Sequence, residues 1–491
     1  METESRQGGG LAWRVAGALL LWFAADAAAV QLWTSGLPFI RYTYGWAMML
    51  FELYSFTHVL AFVAMGFLLR PWFLARRQGL YPLAVFLVIG CFYLTVFEKF
   101  GRRSYDYSAW FNGMMSQVNY GDPYAANPQV SPIYWYTPAL AQLMAGWRWV
   151  VGRLFPHLRM VEGSVRQTTD HLVFYLFQCT QFTLLMGLYW LTYAWGRWLK
   201  MDRKGAALAA GFLLVFNTPL FRMLAFHQAN LWLVNSILVI LLFRDRSPCL
   251  AGLAMAVGFH MKLYPAILGL PLLLTWRWKP ILWAGVFTLA ILAVQCAVSG
   301  WDVWLKFLTY MANPPIGSMF RDNSLHGIAK NLLKPFDAAQ YTGVLWAILQ
   351  AISVGWIAWR MARRERLVRR LRAEPGADAA WLNEFHFQEQ AMDTLVMSFF
   401  LSPMVFEHHY VMAISVILWT WVVWGARAPR AVVIGALLIL AVPVYDVGPL
   451  SWNRIAGLLV LALARPVGYA PPPDGTLAFL RDPPAGGARK G

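Results

Sequence analysis

The sequence predicts an all-α polytopic membrane protein: a bundle of about 12–14 transmembrane or re-entrant helices, with amphipathic helices in one long outer loop. Three observations predict it. Hydrophobic residues make up 59% of the 491 residues and charged ones only 13%, about half the charge of an ordinary soluble domain. The apolar runs are long enough for membrane helices, which need about 20 residues, and show no short alternating segments of the kind that build outer-membrane barrels. The basic residues, which outnumber the acidic ones to give a net charge of +17, sit in short loops between the runs. That is the positive-inside pattern, and it excludes nucleic-acid binding as the reason for the charge.

Apolar spans are expected at about 13–34, 46–69, 80–99, 171–195, 205–222, 228–243, 249–276, 281–299, 342–361, 394–406, 409–425, 430–446 and 453–466. The N-terminal run follows Arg14 as a signal peptide would, but it is long and carries Asp26, so it is read as a retained span. Basic stretches at 70–79, 196–205, 243–248, 276–280, 360–376 and 425–430 place those connections in the cytoplasm. Both flanks of 249–276 then lie on one side. That segment must enter and return, as a hairpin of two short helices turning at "GFHMKLYP". The opposite side receives 100–170, 300–340, the 217–230 turn and the "SPMVFEHHY" turn. Residues 100–170 exceed an ordinary connection and are rich in Tyr, Trp, Asn, Gly and Pro, which suits amphipathic helices at the membrane surface. The tail from 467 to 491 is Pro/Gly-rich and reads as disordered and cytoplasmic. Four single cysteines, Cys91, Cys179, Cys249 and Cys296, indicate neither a disulfide framework nor a zinc site.

Polar groups inside such a chain are costly and call for a reason. Asp106 lies in "RRSYDYSAWF" beside Arg102 and Arg103, which run against the charge bias. Headgroup anchoring with a simple Asp–Arg pair is the bland reading; a catalytic carboxylate is the sharp one. His260 and Lys262 fall mid-hairpin, roughly 16–21 Å from the cytoplasmic loops at the rise of a helix, where a lysine must face protein, water or an anion. Glu407, His408 and His409 interrupt a run late in the chain. "HQANLW" and "NSLHG" place amides and a histidine beside spans, where Asn323 and Ser324 also suit helix caps.

The order of these motifs resembles the GT-C superfamily of membrane glycosyltransferases. The closest resemblance is to bacterial polyprenyl-phosphate-mannose-dependent mannosyltransferases of the phosphatidylinositol-mannoside type. The carrying stretches are "YDYSAW", "GDPYAANPQVSPIYWYTPAL", "HQANLWL", "AGLAMAVGFHMKLYP", "NSLHG" and "SPMVFEHHYV", in that order over about residues 80–425. Tyr136-Thr137-Pro138 stands where the family has Tyr-Pro-Pro, and His227 where it has glycine. The resemblance implies a catalytic core at 80–425, two additional spans in 1–79, and C-terminal spans at 426–466. It implies transfer of a sugar, mannose in the nearest relatives, from a polyprenyl phosphate to a glycolipid or glycan acceptor on the outer face of a bacterial inner membrane. Inversion would occur with Asp106 as base. Arabinose or another pentose, and a non-enzymatic lipid transporter, remain alternatives.

Candidate donor-phosphate ligands are Lys262, His260, His408, His409 and Arg321, with Arg222 weaker. Candidates for sugar or acceptor are Tyr105, Tyr107, Tyr136, His227, Gln228, Asn230, Asn323 and Glu407. No Gly-rich nucleotide loop and no outer Asp-x-Asp occur, so no cofactor and no metal are expected.

Overall fold

A computed structural model describes residue 17 and residues 81–99, 104–134, 136–155, 164–312, 322–375, 378–442 and 452–467. The two expected N-terminal spans and the expected disordered tail beyond 467 lie outside the described residues. Among the described residues the chain forms seventeen α-helices and no strand, so the all-α expectation holds.

The first four helices follow one another from Tyr81 to Trp198. Helix α1 (Tyr81–Lys99) is followed by α2 (Tyr105–Tyr120), α3 (Pro138–Leu154) and the long α4 (Ser164–Trp198). Ser104 caps α2 by accepting from the Tyr107 amide at 3.1 Å, and Gly121 closes it in the left-handed region at φ 70°. The loop between α2 and α3 holds its shape through Asn127, whose amide donates to the Tyr134 carbonyl at 2.6 Å and accepts from the Tyr134 amide at 2.8 Å. Gly113 is required there, because a Cβ at that position would sit 2.4 Å from the Tyr134 ring.

The expected span at 205–222 is two helices, α5 (Arg203–Val215) and α6 (Thr218–Ala225), bent by 53°. Asn217 makes the break stable by capping α6, accepting from the Leu220 amide at 2.9 Å. Then come α7 (Asn230–Phe243), α8 (Pro248–Met261), α9 (Gly269–Leu274), α10 (Trp278–Ser299) and α11 (Val303–Ala312). Helix α8 stops where Lys262 adopts extended backbone at φ −170°. Gly258 lets the returning Pro265 press against the helix, since a Cβ there would lie 2.6 Å from the proline ring. Arg277 Nε reaches back to Asp245 Oδ1 at 3.0 Å, so both flanks of α8–α9 sit together at one end, as a hairpin requires.

The remaining helices are α12 (Leu325–Leu333), α13 (Thr342–Arg372), α14 (Ala379–Leu401), α15 (Ile414–Trp424), α16 (Pro429–Leu440) and α17 (Asn453–Ala464). Two expectations change here. The basic stretch 360–376, read as a loop, is largely helix, because α13 runs unbroken through it to Arg372. The span expected at 394 begins fifteen residues earlier, at Ala379. Hydropathy stopped at the polar run Gln388, Glu389, Gln390 and Asp393, yet all four are buried. Asp393 pairs with Arg364, and with Arg465 at 2.6 Å; Glu389 takes Arg364 at 2.9 Å and the indole N–H groups of Trp419 and Trp424 at 2.8 and 2.6 Å. Paired in this way, the charges are tolerated inside the bundle.

Among the described residues three helices are long and apolar enough to cross a membrane by length and composition, or four if the bent pair is one span. Six further apolar helices of 10–17 residues accompany them.

Candidate active site

Away from the Arg–carboxylate cluster, four segments converge on one group of polar side chains. The first is α2. Its N-cap Ser104 donates to the Phe226 carbonyl at 2.7 Å, so the start of α2 is tied to the turn that carries Gln228. Asp106 stands in the first helical turn, where its charge suits the positive end of the helix dipole. The second segment is the α2–α3 loop. It sends the Tyr136 hydroxyl to Asp106 Oδ1 at 3.4 Å, while Gln228 Nε2 lies 3.4 Å from the same hydroxyl. Both bonds are at the long limit for a hydrogen bond. Burial pushes the Asp106 carboxyl up to about 6, against the opposing effects of Gln228, the Lys262 charge and Tyr136.

Lys262 comes from the tip of the α8–α9 hairpin. Its Nζ donates to Asn230 Oδ1 at 3.2 Å and lies 2.8 Å from His409 Nε2. Asn230 in turn donates to the His408 carbonyl at 2.9 Å. The fourth segment is the 3-10 turn Glu407–Ala413 ahead of α15. On the far side of the ring, His409 Nδ1 faces the Phe406 backbone, with the amide nitrogen at 3.0 Å and the carbonyl oxygen at 3.2 Å. The His409 ring is therefore aimed from behind by the backbone and presents one nitrogen to the lysine.

Of the candidates read from sequence, the structure brings together Asp106, Tyr136, Gln228, Asn230, Lys262 and His409. His408 is adjacent, its ring 4.5 Å from that of His409. Others are placed elsewhere. The His260 ring turns toward α10, with Nε2 3.1 Å from the Thr288 carbonyl, and packs on Trp304. Tyr107 is fully buried, edge-on to Phe174. His227 has its Nε2 2.9 Å from Gln178 Nε2. Its φ of 59° places it in the left-handed region, a conformation that favours glycine. Glu407 faces inward, 2.7 Å from Arg222 and 3.9 Å from Arg454, so Arg222 serves this pair. Tyr105 opens α2. Arg102, Arg103 and Arg321 lie outside the described residues.

Two residues of the site were missed in sequence. Buried Asp322 accepts from the Val405 and Ser324 amides at 3.0 and 2.9 Å, and the Asn323 amide donates to the Val405 carbonyl at 2.7 Å. These bonds fasten the outer segment before α12 to the turn that carries His409. Burial raises the Asp322 carboxyl. Tyr264 donates to Ser402 Oγ at 2.6 Å, with its ring beside His409. The aspartate beside "NSLHG" was the available signal; nothing in the sequence marked the tyrosine. Asp122, in the α2–α3 loop, is paired with Lys306 at 2.7 Å. Among the described residues no three His, Cys, Asp or Glu gather as a metal-binding group.

Residues 169–382 match the family model of glycosyltransferase family 87. The match supports a membrane glycosyltransferase of GT-C type. It runs from α4 to the start of α14 and includes Gln228, Asn230, Lys262 and Asn323, leaving Asp106 and the 407–413 turn outside it. No curated protein and no solved structure matches the chain. A glycosyltransferase implies a sugar donor and an acceptor.

Proposed function

We propose that this glycosyltransferase moves a sugar, mannose by resemblance, from a polyprenyl phosphate to a glycolipid or glycan acceptor. The reaction takes place at the non-cytoplasmic face of a bacterial inner membrane, with inversion and without a metal. The observation that carries the reading is the convergence of Asp106 and Lys262 in one polar group from distant parts of the chain, with Tyr136, Gln228, Asn230 and His409 filling the space between.

In this reading the acceptor hydroxyl oxygen attacks the anomeric carbon as the bond from that carbon to the phosphate oxygen breaks. The hydroxyl proton passes to an Asp106 oxygen. A carboxyl held near 6 is ionised at neutral pH, yet it is basic enough to take a proton late in the step. Negative charge grows on the departing polyprenyl phosphate. Lys262 and His409, already fixed by Asn230 and the Phe406 backbone, would meet that charge without reorganising. Tyr136 and Gln228 stand where sugar hydroxyls would sit, and His408 borders the phosphate side. A lipid-linked donor needs no nucleotide fold, because its tail stays in the bilayer while the sugar presents at the site.

The experiment is direct. Purified protein is incubated with a panel of polyprenyl-phosphate sugars and lipid extracts, and products are read by mass spectrometry. A new glycosidic product that requires the polyprenyl-phosphate sugar and is lost in Asp106→Asn supports the reading. Transport of a lipid with no glycosidic product, or wild-type transfer by Asp106→Asn, overturns it.

A further inference from the structure

Helix α13 carries seven arginines between Arg360 and Arg372, and the structure separates them by face. Arg360 and Arg364 point into the bundle, where they meet Asp393 and, for Arg364, Glu389. Arg369 pairs with Glu365 at 2.7 Å, and Arg372 donates to Asn383. Arg363, Arg366 and Arg370 are exposed and have no ion-pair partner among the described residues.

These three continue a face that begins in the membrane-spanning part of the same helix. Val344, Ile348, Ile352 and Trp359 are 61%, 49%, 65% and 46% exposed, so among the described residues no other helix covers this side of the apolar span, and it is suited to lipid. Stepping 100° per residue, all seven positions from Val344 to Arg370 fall within an arc of about 100°. Val344 to Arg363 spans about 28 Å of helix, close to the roughly 30 Å of a bilayer's hydrocarbon core. Trp359 therefore reaches the interface, where indoles concentrate. The Arg363 guanidinium lies 5.3 Å over its ring. The remaining arginines follow within about 10 Å, the depth of the headgroup layer and its edge.

We propose that this face is a binding surface for anionic phospholipid headgroups, with the acyl chains lying along Val344–Trp359 and the phosphates held by Arg363, Arg366 and Arg370. Three reasons favour a lipid over a soluble partner. The basic face is continuous with a lipid-facing apolar face, it begins at an interfacial tryptophan, and it offers guanidinium groups whose geometry suits phosphate oxygens. The inference stands apart from the proposed sugar transfer, which occurs in a separate part of the bundle.

The test uses the full-length protein in phosphatidylcholine vesicles, with spin-labelled phosphatidylglycerol and phosphatidylcholine as probes of the lipid boundary. A basic residue at an anionic surface contributes about fivefold in affinity. The unaltered protein is therefore expected to prefer phosphatidylglycerol by about fivefold or more, and the preference should fall toward one at about 0.5 M salt. Substituting all three as R363Q, R366Q and R370Q is expected to lower the preference at least threefold, whereas R363K, R366K and R370K together retain most of it. Equal affinity for the two probes in the unaltered protein, a preference indifferent to salt, or one unchanged by the glutamine substitutions would overturn the proposal. The face would then belong to water or to an acidic protein.

Discussion

Two groups of buried charge sit in separate parts of this bundle, and they are built on opposite plans. In one, Asp393 and Glu389 are closed in by Arg360, Arg364 and Arg465, with two indole N–H groups completing Glu389. In the other, Asp106 has no cation in contact among the described residues. Its hydroxyl neighbour is 3.4 Å away, and the lysine that balances it is turned toward an asparagine and a histidine. The first arrangement uses Coulomb attraction to tie helices together. The second leaves that attraction partly unsatisfied, which under the proposed function keeps a base and a cation available to a substrate. Full pairing marks a structural site, and charges held apart mark a chemical one.

The comparison can be broken at its structural end first. Asp393→Ala strips the carboxylate from three buried guanidinium groups, and breaking such a pair costs about 3–5 kcal/mol. Loss of monodisperse protein in detergent is the expected result, and a normal elution profile with normal melting would refute the structural assignment. At the chemical end, Asp106→Asn should leave yield and melting intact, because burial already disfavours the charge there. Sugar transfer should fall by about 10²–10⁴. Lys262→Met should lower kcat by about 10²–10³ with a smaller change in KM, as expected when a contact strengthens in the transition state. A change confined to KM would make Lys262 a docking group only.

A subtler outcome concerns pH. The Asp106 carboxyl is raised to about 6, so the protonated, inactive form accumulates as pH falls below that value. Transfer should decline about tenfold per pH unit on the acid side, with a limb near 6 in the kcat/KM profile. A limb near 4 would mean that the site is wetter than its packing suggests. The smallest effect is expected at His227→Gly, which relieves a left-handed residue by about 1 kcal/mol but removes the ring packed against Gln178, Tyr107 and Phe174. Melting should move by only a few degrees in either direction, with transfer kept.

The legibility of the molecule in its sequence follows the same division. Asp106, Lys262 and His409 were visible because a polar residue in an oily chain needs a cause, and the hairpin was visible because basic loops lay on both flanks of 249–276. Helix α14 was misread at its start because hydropathy counts Glu389 and Asp393 as charges, whereas the fold counts them as halves of pairs whose partners lie on α13 and beyond α17. The same blindness explains Asp322. Its value comes from an amide at Val405, and no local pattern announces a bond between segments so far apart. His260 illustrates the converse error: two residues from Lys262 on a helix end, it faces a different neighbour because the helix stops between them.

One side chain in the polar group around Lys262 reads its surroundings in a fixed direction. The Asn230 amide turns its oxygen to the Lys262 ammonium and its nitrogen to the His408 carbonyl, so each end meets the only polarity it can accept. An aspartate has nearly the same outline but two like ends. It would hold the lysine more tightly and push the histidine turn away. The residue thus works as a keyed spacer: the gap between the cation and the turn is encoded by which end carries hydrogens, and a change of one atom, with no change of shape, would be enough to reset it.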